Sequence, residues 1–352
     1  MLIFGTSKRI AKVADLSKYA KELSKLFSSS DNILLICHVN PDGDAIGSQL
    51  ALFHYLTGNG RNVQMISPNN LQEFLKWLPG ADLINIFIRQ RDYCKALIRK
   101  SDLIIFLDFN QPERLGELQN LLQDSGAKKI IIDHHLNPNP FADIIISDPA
   151  KCSTSELVYE LLASLDNKPF MTKEIAEAIY VGIITDTGNF EHGNYTGQTL
   201  RIVADILDTG IERDRILGLV YNNFSEYRMR LQGFALYKRM TVIPEFQTAY
   251  IYLTKSDLIA FNNVKGDTEG FVNMPLSIKG ISFAVLFLEK DNFIKLSFRS
   301  IGNFPVNEFA SEFFSGGGHL NASGGEYNDT LENTIDYFLK VLRENFTRYN
   351  KK

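Results

Sequence analysis

His38-Val-Asn-Pro-Asp42-Gly-Asp44, continuing Ala-Ile-Gly-Ser48, sets one imidazole and two carboxylates on a short stretch behind the apolar run Ile33–Cys37. Pro41 and Gly43 favour a tight loop there. Carboxylates two positions apart on such a loop can face two different cations. The same residues also have a conformational reading, with Asp44 as the N-cap of the following helix and Asp42 as a turn residue. Three further segments carry acids in matching places. Ile104-Ile-Phe-Leu-Asp108 ends an apolar run with a carboxylate, and Ile130-Ile-Ile-Asp133-His134-His135 ends another with an acid and two histidines. Gly182-Ile-Ile-Thr-Asp186-Thr-Gly-Asn189 puts an acid where an apolar helix meets a glycine turn. Each alone has a bland account: Asp108 capping a helix that starts at Pro112, or the histidines standing at a surface strand end. Together, with three of the four clusters at strand ends, they point to a cation site. Oxygen and imidazole ligands without thiolates suit Mn²⁺ or Mg²⁺ better than a structural zinc. The chemistry of such a site is two-metal hydrolysis of a phosphate ester.

The elements that must position these residues follow from hydrophobic periodicity. Ile33–Cys37, Val63–Ser67, Leu103–Asp108 and Lys129–Asp133 are expected as buried strands, with helices over Ala45–Leu56 and Pro112–Gln123. This alternation implies an α/β fold with a mainly parallel sheet flanked by helices. Sites in such sheets lie at the carboxyl ends of the strands. Ser153-Thr-Ser-Glu156 reads as a capping box before the apolar face Leu157, Val158, Leu161, Leu162 and Leu165. Thr172 is expected to start a helix over Lys173–Ile184. The polar stretch Asn222–Arg230 reads as a linker. Beyond it, Thr248–Leu253, Ser282–Leu288 and Phe293–Arg299 are expected as strands of a smaller α/β domain with a mixed sheet, closed by a helix over Leu331–Asn345. The expected domains are 1–229 and 230–352.

The chain has 352 residues, so at roughly 150 residues per domain the two-domain reading also fits its length. It is 45% hydrophobic and 22% charged, ordinary globular usage that excludes a disordered chain. Lys and Arg total 37 against 41 Asp and Glu, a net charge of −4. That excludes a broad basic surface for long duplex nucleic acid, but not small anions held by a few local cations. Apolar runs such as Leu103–Leu107 fall far short of the ~20 residues of a membrane span, and the N-terminus lacks the plan of a secretion signal. A cytoplasmic protein without membrane association is therefore expected. Cys37, Cys94 and Cys152 are odd in number and widely spaced, which indicates neither a disulfide framework nor a cysteine zinc site.

His38–Ser48, Asp108, Asp133-His134-His135 and Asp186 resemble the four ordered motifs of the DHH phosphoesterases, named for the Asp-His-His triplet. Ile294-Lys-Leu-Ser-Phe-Arg299-Ser300, followed by Phe314-Ser-Gly316-Gly317-Gly318-His319, resembles the DHH-associated nucleotide-binding domain of the shorter members. Among these the pattern is most similar to the subfamily of oligoribonucleases and 3′-phosphoadenosine-5′-phosphate phosphatases, over about residues 15 to 345. One departure is Asp108-Phe109-Asn110, where many relatives carry a small hydroxyl residue after the acid; it touches only the surroundings of the ligand.

The resemblance implies two divalent cations, with Mn²⁺ preferred and Mg²⁺ an alternative. One would be held by His38, Asp42 and Asp108, the other by Asp44, Asp108, His134 and Asp186, with Asp108 bridging and a shared water activated between them. Asp133 is implied as the partner that orients a metal-binding imidazole, and His135 as the group that touches the reacting phosphate. Arg299, Ser300, Gly316, Gly317, Gly318 and His319 are implied substrate contacts across an interdomain cleft. Arg299 offers a bidentate fork for phosphate, and the glycines allow close backbone approach to an anion. Taken alone, the glycine run also reads as a flexible turn. The implied substrates are short single-stranded RNA oligonucleotides and nucleotide bisphosphates. Cyclic or linear di-adenylate is a rival substrate, and a nucleotide sensor without turnover is a rival of another class. Oligomeric state stays open, a homodimer included. Trp77 and Cys37 read as core residues, His54 as a satisfied or exposed histidine, and Lys8, Lys12, Lys18, Lys21 and Lys25 as a solvated helix face.

Overall fold

The structure, a computed structural model, describes residues 9–11, 16–165, 170–191, 193–222, 224–264 and 266–349. The chain divides into two compact units, Met1–Asn223 and Phe224–Lys352. The first runs β1 (Arg9–Ala11), α1 (Leu16–Ser29), β2 (Ile33–Ile36), α2 (Gly43–Gly58), β3 (Val63–Ser67), β4 (Asn85–Ile86), α3 (Arg91–Lys100), β5 (Leu103–Leu107), α4 (Leu118–Gln123), β6 (Lys128–Asp133), β7 (Ile144–Ser147), α5 (Thr154–Leu165), α6 (Lys173–Asp186), α7 (Gly197–Asp208) and α8 (Arg213–Tyr221). Its strands form one sheet in the order β1-β7-β6-β5-β2-β3-β4. Every pairing in it is parallel, as the alternation of strands and helices predicts.

Strands buried on both faces explain the unbroken apolar runs. Leu35 and Ile105 pack under α1, α2, α5 and α6 on one face, while Ile36 and Phe106 meet residues of α3 and α4 on the other. After β2 the chain moves outward through β3 and β4, then returns to the opposite side of β2 as β5. The sheet order therefore reverses between β2 and β5, and at such a point the loops diverge and open a crevice. Register sharpens this placement. Ile36, Phe106 and Ile131 lie in one row across β2, β5 and β6, so two residues further on His38, Asp108 and Asp133 leave the sheet side by side.

The expected helix Pro112–Gln123 is two pieces, a 3₁₀ turn Pro112–Leu115 and then α4. Gly116 between them adopts φ +56°, which helical hydrogen bonding cannot span. The expected linker is also corrected. Ser225 caps a helix there by accepting the Arg228 amide, and Leu231 and Ala235 bury its inner face. Of the polar residues that suggested a linker, Ser225 is the cap, Glu226 and Arg230 are exposed on the helix and Arg228 is buried. Of the five lysines expected on a solvated helix face, Lys21 and Lys25 are exposed on α1. Lys8, Lys12 and the Lys18 side chain lie outside the described residues.

The second unit begins with that helix, α9 (Glu226–Lys238), and continues β8 (Met240–Ile243), β9 (Thr248–Leu253), α10 (Lys255–Ala260), β10 (Phe283–Glu289), β11 (Ile294–Ser300), α11 (Val306–Phe313), β12 (Gly317–His319), β13 (Ala322–Tyr327) and α12 (Leu331–Tyr349). Its sheet, ordered β12-β13-β11-β10-β9-β8, is mixed, with β9 and β10 parallel and the other pairs antiparallel. Phe283, Phe298, Phe309, Phe314 and Phe338 fill one face. Among the described residues no helix is long and apolar enough to cross a membrane.

Candidate metal centre

The loop after β2 carries His38 and Asp42. His38 is buried; its Nδ1 lies 2.8 Å from the Val39 carbonyl. Donation there gives Nδ1 the proton and leaves Nε2 with a lone pair. That nitrogen lies 3.3 Å from Asp108 Oδ2 and 3.9 Å from Asp42 Oδ1, and it has no hydrogen-bond partner among the described residues. Lone pairs of an imidazole and two carboxylates thus converge on one point. A cation satisfies that arrangement and a proton shared along one edge does not.

A second convergence lies beside the first. His134 Nε2 is 3.9 Å from Asp44 Oδ2, 3.8 Å from Asp108 Oδ1 and 3.4 Å from Asp186 Oδ2. Its Nδ1 sits 3.2 Å from the Lys151 carbonyl, the kind of outer partner that orients a metal-binding ring. The ligand atoms of His38, Asp42 and Asp108 fall within 4.8 Å of one another, as do those of Asp44, His134 and Asp186. Asp108 faces both groups, with Oδ2 toward His38 and Oδ1 toward His134. All six expected ligands are brought together.

The conformational reading of the first loop is half right. Asp42, not Asp44, is the N-cap of α2, accepting the amides of Asp44 and Ala45. Asp44 is buried in the first turn of α2, where its carboxylate accepts the amides of Thr154 and Ser155 at 2.6 and 2.8 Å. Burial and the charges of Asp108 and Asp186 push the Asp44 carboxyl well above its usual range. Asp186, the last residue of α6, rises to about 7, chiefly through burial. Crowded acids of this kind resist ionisation until positive charge is supplied. Asp108 shifts down: its burial is outweighed by the attraction of the imidazoles around it.

Asp133 orients the ring of His135 and not that of His134: its two oxygens lie 2.7 Å from His135 Nδ1 and 3.0 Å from the His135 amide. Burial alone would favour the neutral ring. The Asp133 hydrogen bond and the charges of Asp108 and Asp133 instead raise His135 to about 9. Asn110 donates to the carbonyls of His135 and Leu136 and fixes this turn. Phe109, at the position where the sequence departs from many relatives, is buried against Phe106 and Phe141 and faces away from the ligands. Cys37 is core, its thiol pushed up to about 12 by burial. Trp77 packs on the N-terminal core under the Arg215 guanidinium. His54 Nε2 meets the Pro79 carbonyl.

In the second unit the register pairs Arg299 with Ala322 and Ala322 with His319. Residues in one row share a sheet face, so Arg299 and His319 stand on the same face, two strands apart. Among the described residues no carboxylate pairs with Arg299, and burial pulls its guanidinium below its usual value. The glycine run is a strand edge rather than a loose turn. A Cβ at Gly316 would lie 2.0 Å from the Gly324 carbonyl and one at Gly318 2.6 Å from that of Ala322, whereas one at Gly317 meets nothing within 4 Å. Ser300 has another task from the expected substrate contact. It is buried, donating to the Phe304 carbonyl and accepting from Asn321.

Residues 32–183 match the DHH family, N-terminal domain, and residues 247–348 match the DHHA1 domain. The chain is 30% identical, over 86% of its length and 91% of the relative's, to a bifunctional oligoribonuclease and PAP phosphatase, NrnA, of Bacillus subtilis. This chain belongs to the DHH family. Its fold recurs at a TM-score of 0.93 and 41% identity in the crystal structure of an exopolyphosphatase-related protein from Bacteroides fragilis, covering 98% of this chain and 100% of that one. A more distant DHH-like fold is RecJ of Thermus thermophilus, solved with Mn²⁺, at a TM-score of 0.57 and 16% identity, covering 98% of this chain and 56% of RecJ.

The Asp and His positions of this DHH chain were legible because acids interrupt apolar runs. Thr154, Ser155, the Lys151 carbonyl and Asn110 were not. Their signal was present only as three hydroxyl residues, Ser153, Thr154 and Ser155, opening an apolar helix.

Proposed function

We propose that the protein hydrolyses phosphate esters of short nucleotides. Its substrates are oligoribonucleotides of a few residues, cut to mononucleotides, and the 3′-phosphate of 3′-phosphoadenosine-5′-phosphate. The observation that carries this reading is the pair of ligand clusters joined by Asp108, with the unpartnered lone pair of His38 directed into one of them. The activity of the Bacillus relative supplies the substrate class. His38, Asp42 and Asp108 are assigned to one divalent cation, and Asp44, Asp108, His134 and Asp186 to a second. Mn²⁺ is the preferred ion and Mg²⁺ the alternative, since the donors are oxygen and imidazole. Bound there, such ions neutralise phosphate charge and lower the pKa of a water toward neutrality.

The chain's own residues do the rest. Asp133 holds the His135 ring by Nδ1 and favours its protonated form, which suits it to donate a hydrogen bond to the reacting phosphate. Ring orientation by a buried acid is the usual device for a histidine that must present one defined nitrogen. In the second unit Arg299 and His319 hold the remainder of the nucleotide, and the open backbone at Gly317 offers an amide edge to an anion.

The test is a Mn²⁺-dependent activity panel of di- to pentaribonucleotides, 3′-phosphoadenosine-5′-phosphate, cyclic di-adenylate, pyrophosphate and polyphosphate. Release of mononucleotides or of phosphate from the first two substrates, abolished by a chelator, is expected. Fastest turnover of pyrophosphate or polyphosphate would overturn the reading, and tight nucleotide binding without turnover would make the protein a sensor.

A further inference from the structure

We infer that Thr154, at the start of α5, is a positioning residue of this centre. Its hydroxyl sets the rotation of the Asp108 carboxylate so that one oxygen serves each cation. The inference rests on the cation reading above and adds a residue that the motifs do not contain.

Thr154 is fully buried. Its hydroxyl donates to Asp108 Oδ1 at 2.9 Å and its amide to Asp44 Oδ2 at 2.6 Å. Asp44 and Asp108 come from α2 and from the end of β5, and two acids so placed repel each other. One residue offering a donor to each offsets part of that repulsion and occupies only one lone-pair direction on each carboxylate.

The rotation matters as much as the charge. Asp108 Oδ2 faces His38, and Oδ1 faces His134. A carboxylate turned about its Cβ–Cγ bond would offer both oxygens to one cluster and neither to the other. The hydrogen bond from Thr154 fixes Oδ1 on the His134 side.

Thr154 is itself held from behind. Ser153 Oγ accepts the Glu156 amide, while the buried Glu156 carboxylate accepts the Cys152 amide and the Thr199 hydroxyl. This differs from a standard capping box, in which the glutamate would reach back to the capping residue's own amide. Here it grips one residue earlier and so fixes residues 151–153, including the Lys151 carbonyl that meets His134. The start of α5 thus touches Asp44, Asp108 and His134 at once.

Thr154→Val keeps the branched shape and removes the proton donor, while Thr154→Ser keeps the donor. Calorimetric titration of the metal-free full chain with Mn²⁺ is the direct measurement, with thermal unfolding of each metal-free variant as the control for folding. Loss of an outer partner of a metal ligand typically weakens affinity by about 10–100-fold. Thr154→Val is expected to bind Mn²⁺ more weakly within that range, and Thr154→Ser to bind close to the parent. Turnover of the valine variant should recover as Mn²⁺ is raised, a shift that a general packing defect would not produce. Should the valine chain not fold, Thr154→Ala takes its place in the same comparison. Parental Mn²⁺ affinity in the hydroxyl-free variant, or equal losses in the valine and serine variants, overturns the role given to the hydroxyl. A parent chain that binds no Mn²⁺ overturns the cation reading itself, so the two failures are distinct.

Discussion

Asp108 has φ of +65°, a left-handed conformation that a non-glycine residue keeps only when its surroundings hold it. Its amide is bonded to the Ile132 carbonyl, and its carboxylate is held among Thr154, His38 and His134. Asparagine tolerates that backbone region well, so Asp108→Asn removes charge without forcing the chain to move. Both cation positions should weaken together, and turnover should fall by more than the ~10–100-fold typical of losing an outer partner. Metal content and rate of the purified variant measure this. Two tightly held ions with near-parental turnover would refute the bridging assignment. The ligand types were readable because an acid closing an apolar strand has no packing role to play. The partners of each imidazole were not readable. His134 meets a main-chain carbonyl at Lys151, which any residue type would provide, and Asp133 turned out to hold its second neighbour rather than its first.

Two helices bring Asp44 and Asp186 to the same place, and glycines let them approach. A Cβ on Gly47 of α2 would lie 2.4 Å from the Ala178 carbonyl of α6, and one on Gly182 of α6 1.9 Å from Ser155 Oγ and 2.9 Å from Asp44 Oδ1. Gly182→Ala must therefore push α6 away from α5 and from the Asp44 carboxylate. Overpacking of this kind costs about 1–3 kcal/mol, or several degrees in melting temperature at roughly 2–4 °C per kcal/mol for a domain of this size. Mn²⁺ affinity should fall with it. Unchanged melting and unchanged metal binding would show that the crossing can relax and that the glycine is not required. The buried strands β2, β3, β5 and β6 and the helices α2, α5 and α6 were legible because length and apolar pattern agree there, whereas the buried β7, only four residues long, was not. β12 and β13 were not, since Gly317–His319 and Ala322–Tyr327 are built mainly from Gly, Ser and Ala. Such residues carry no strand preference, and here they are chosen for close backbone approach instead.

Four aspartates assigned to the cations contribute −4, equal to the whole formal charge of the chain, so the remainder is neutral (−4 + 4 = 0). Attraction of an anionic substrate therefore falls to local cations and not to a long-range field. Arg299 is such a cation, half-buried and without a carboxylate partner among the described residues. It and His319 lie in the second unit, whereas every assigned metal ligand lies in the first, so changing them should leave the ions in place. Losing a charged hydrogen-bond partner costs about 1.5–3 kcal/mol, roughly ten- to over a hundredfold in transition-state binding. Arg299→Ala and His319→Ala should lower kcat/KM for a diribonucleotide by that factor. They should hardly change hydrolysis of bis-(p-nitrophenyl) phosphate, a small activated ester that needs only the metal centre. The decisive quantity is the ratio of the two kcat/KM values, measured alongside Mn²⁺ content. Equal losses on both substrates would make these residues supports of the fold. No loss on either would reduce the Gly317–His319 edge to a structural hairpin, and the nucleotide would then be held elsewhere.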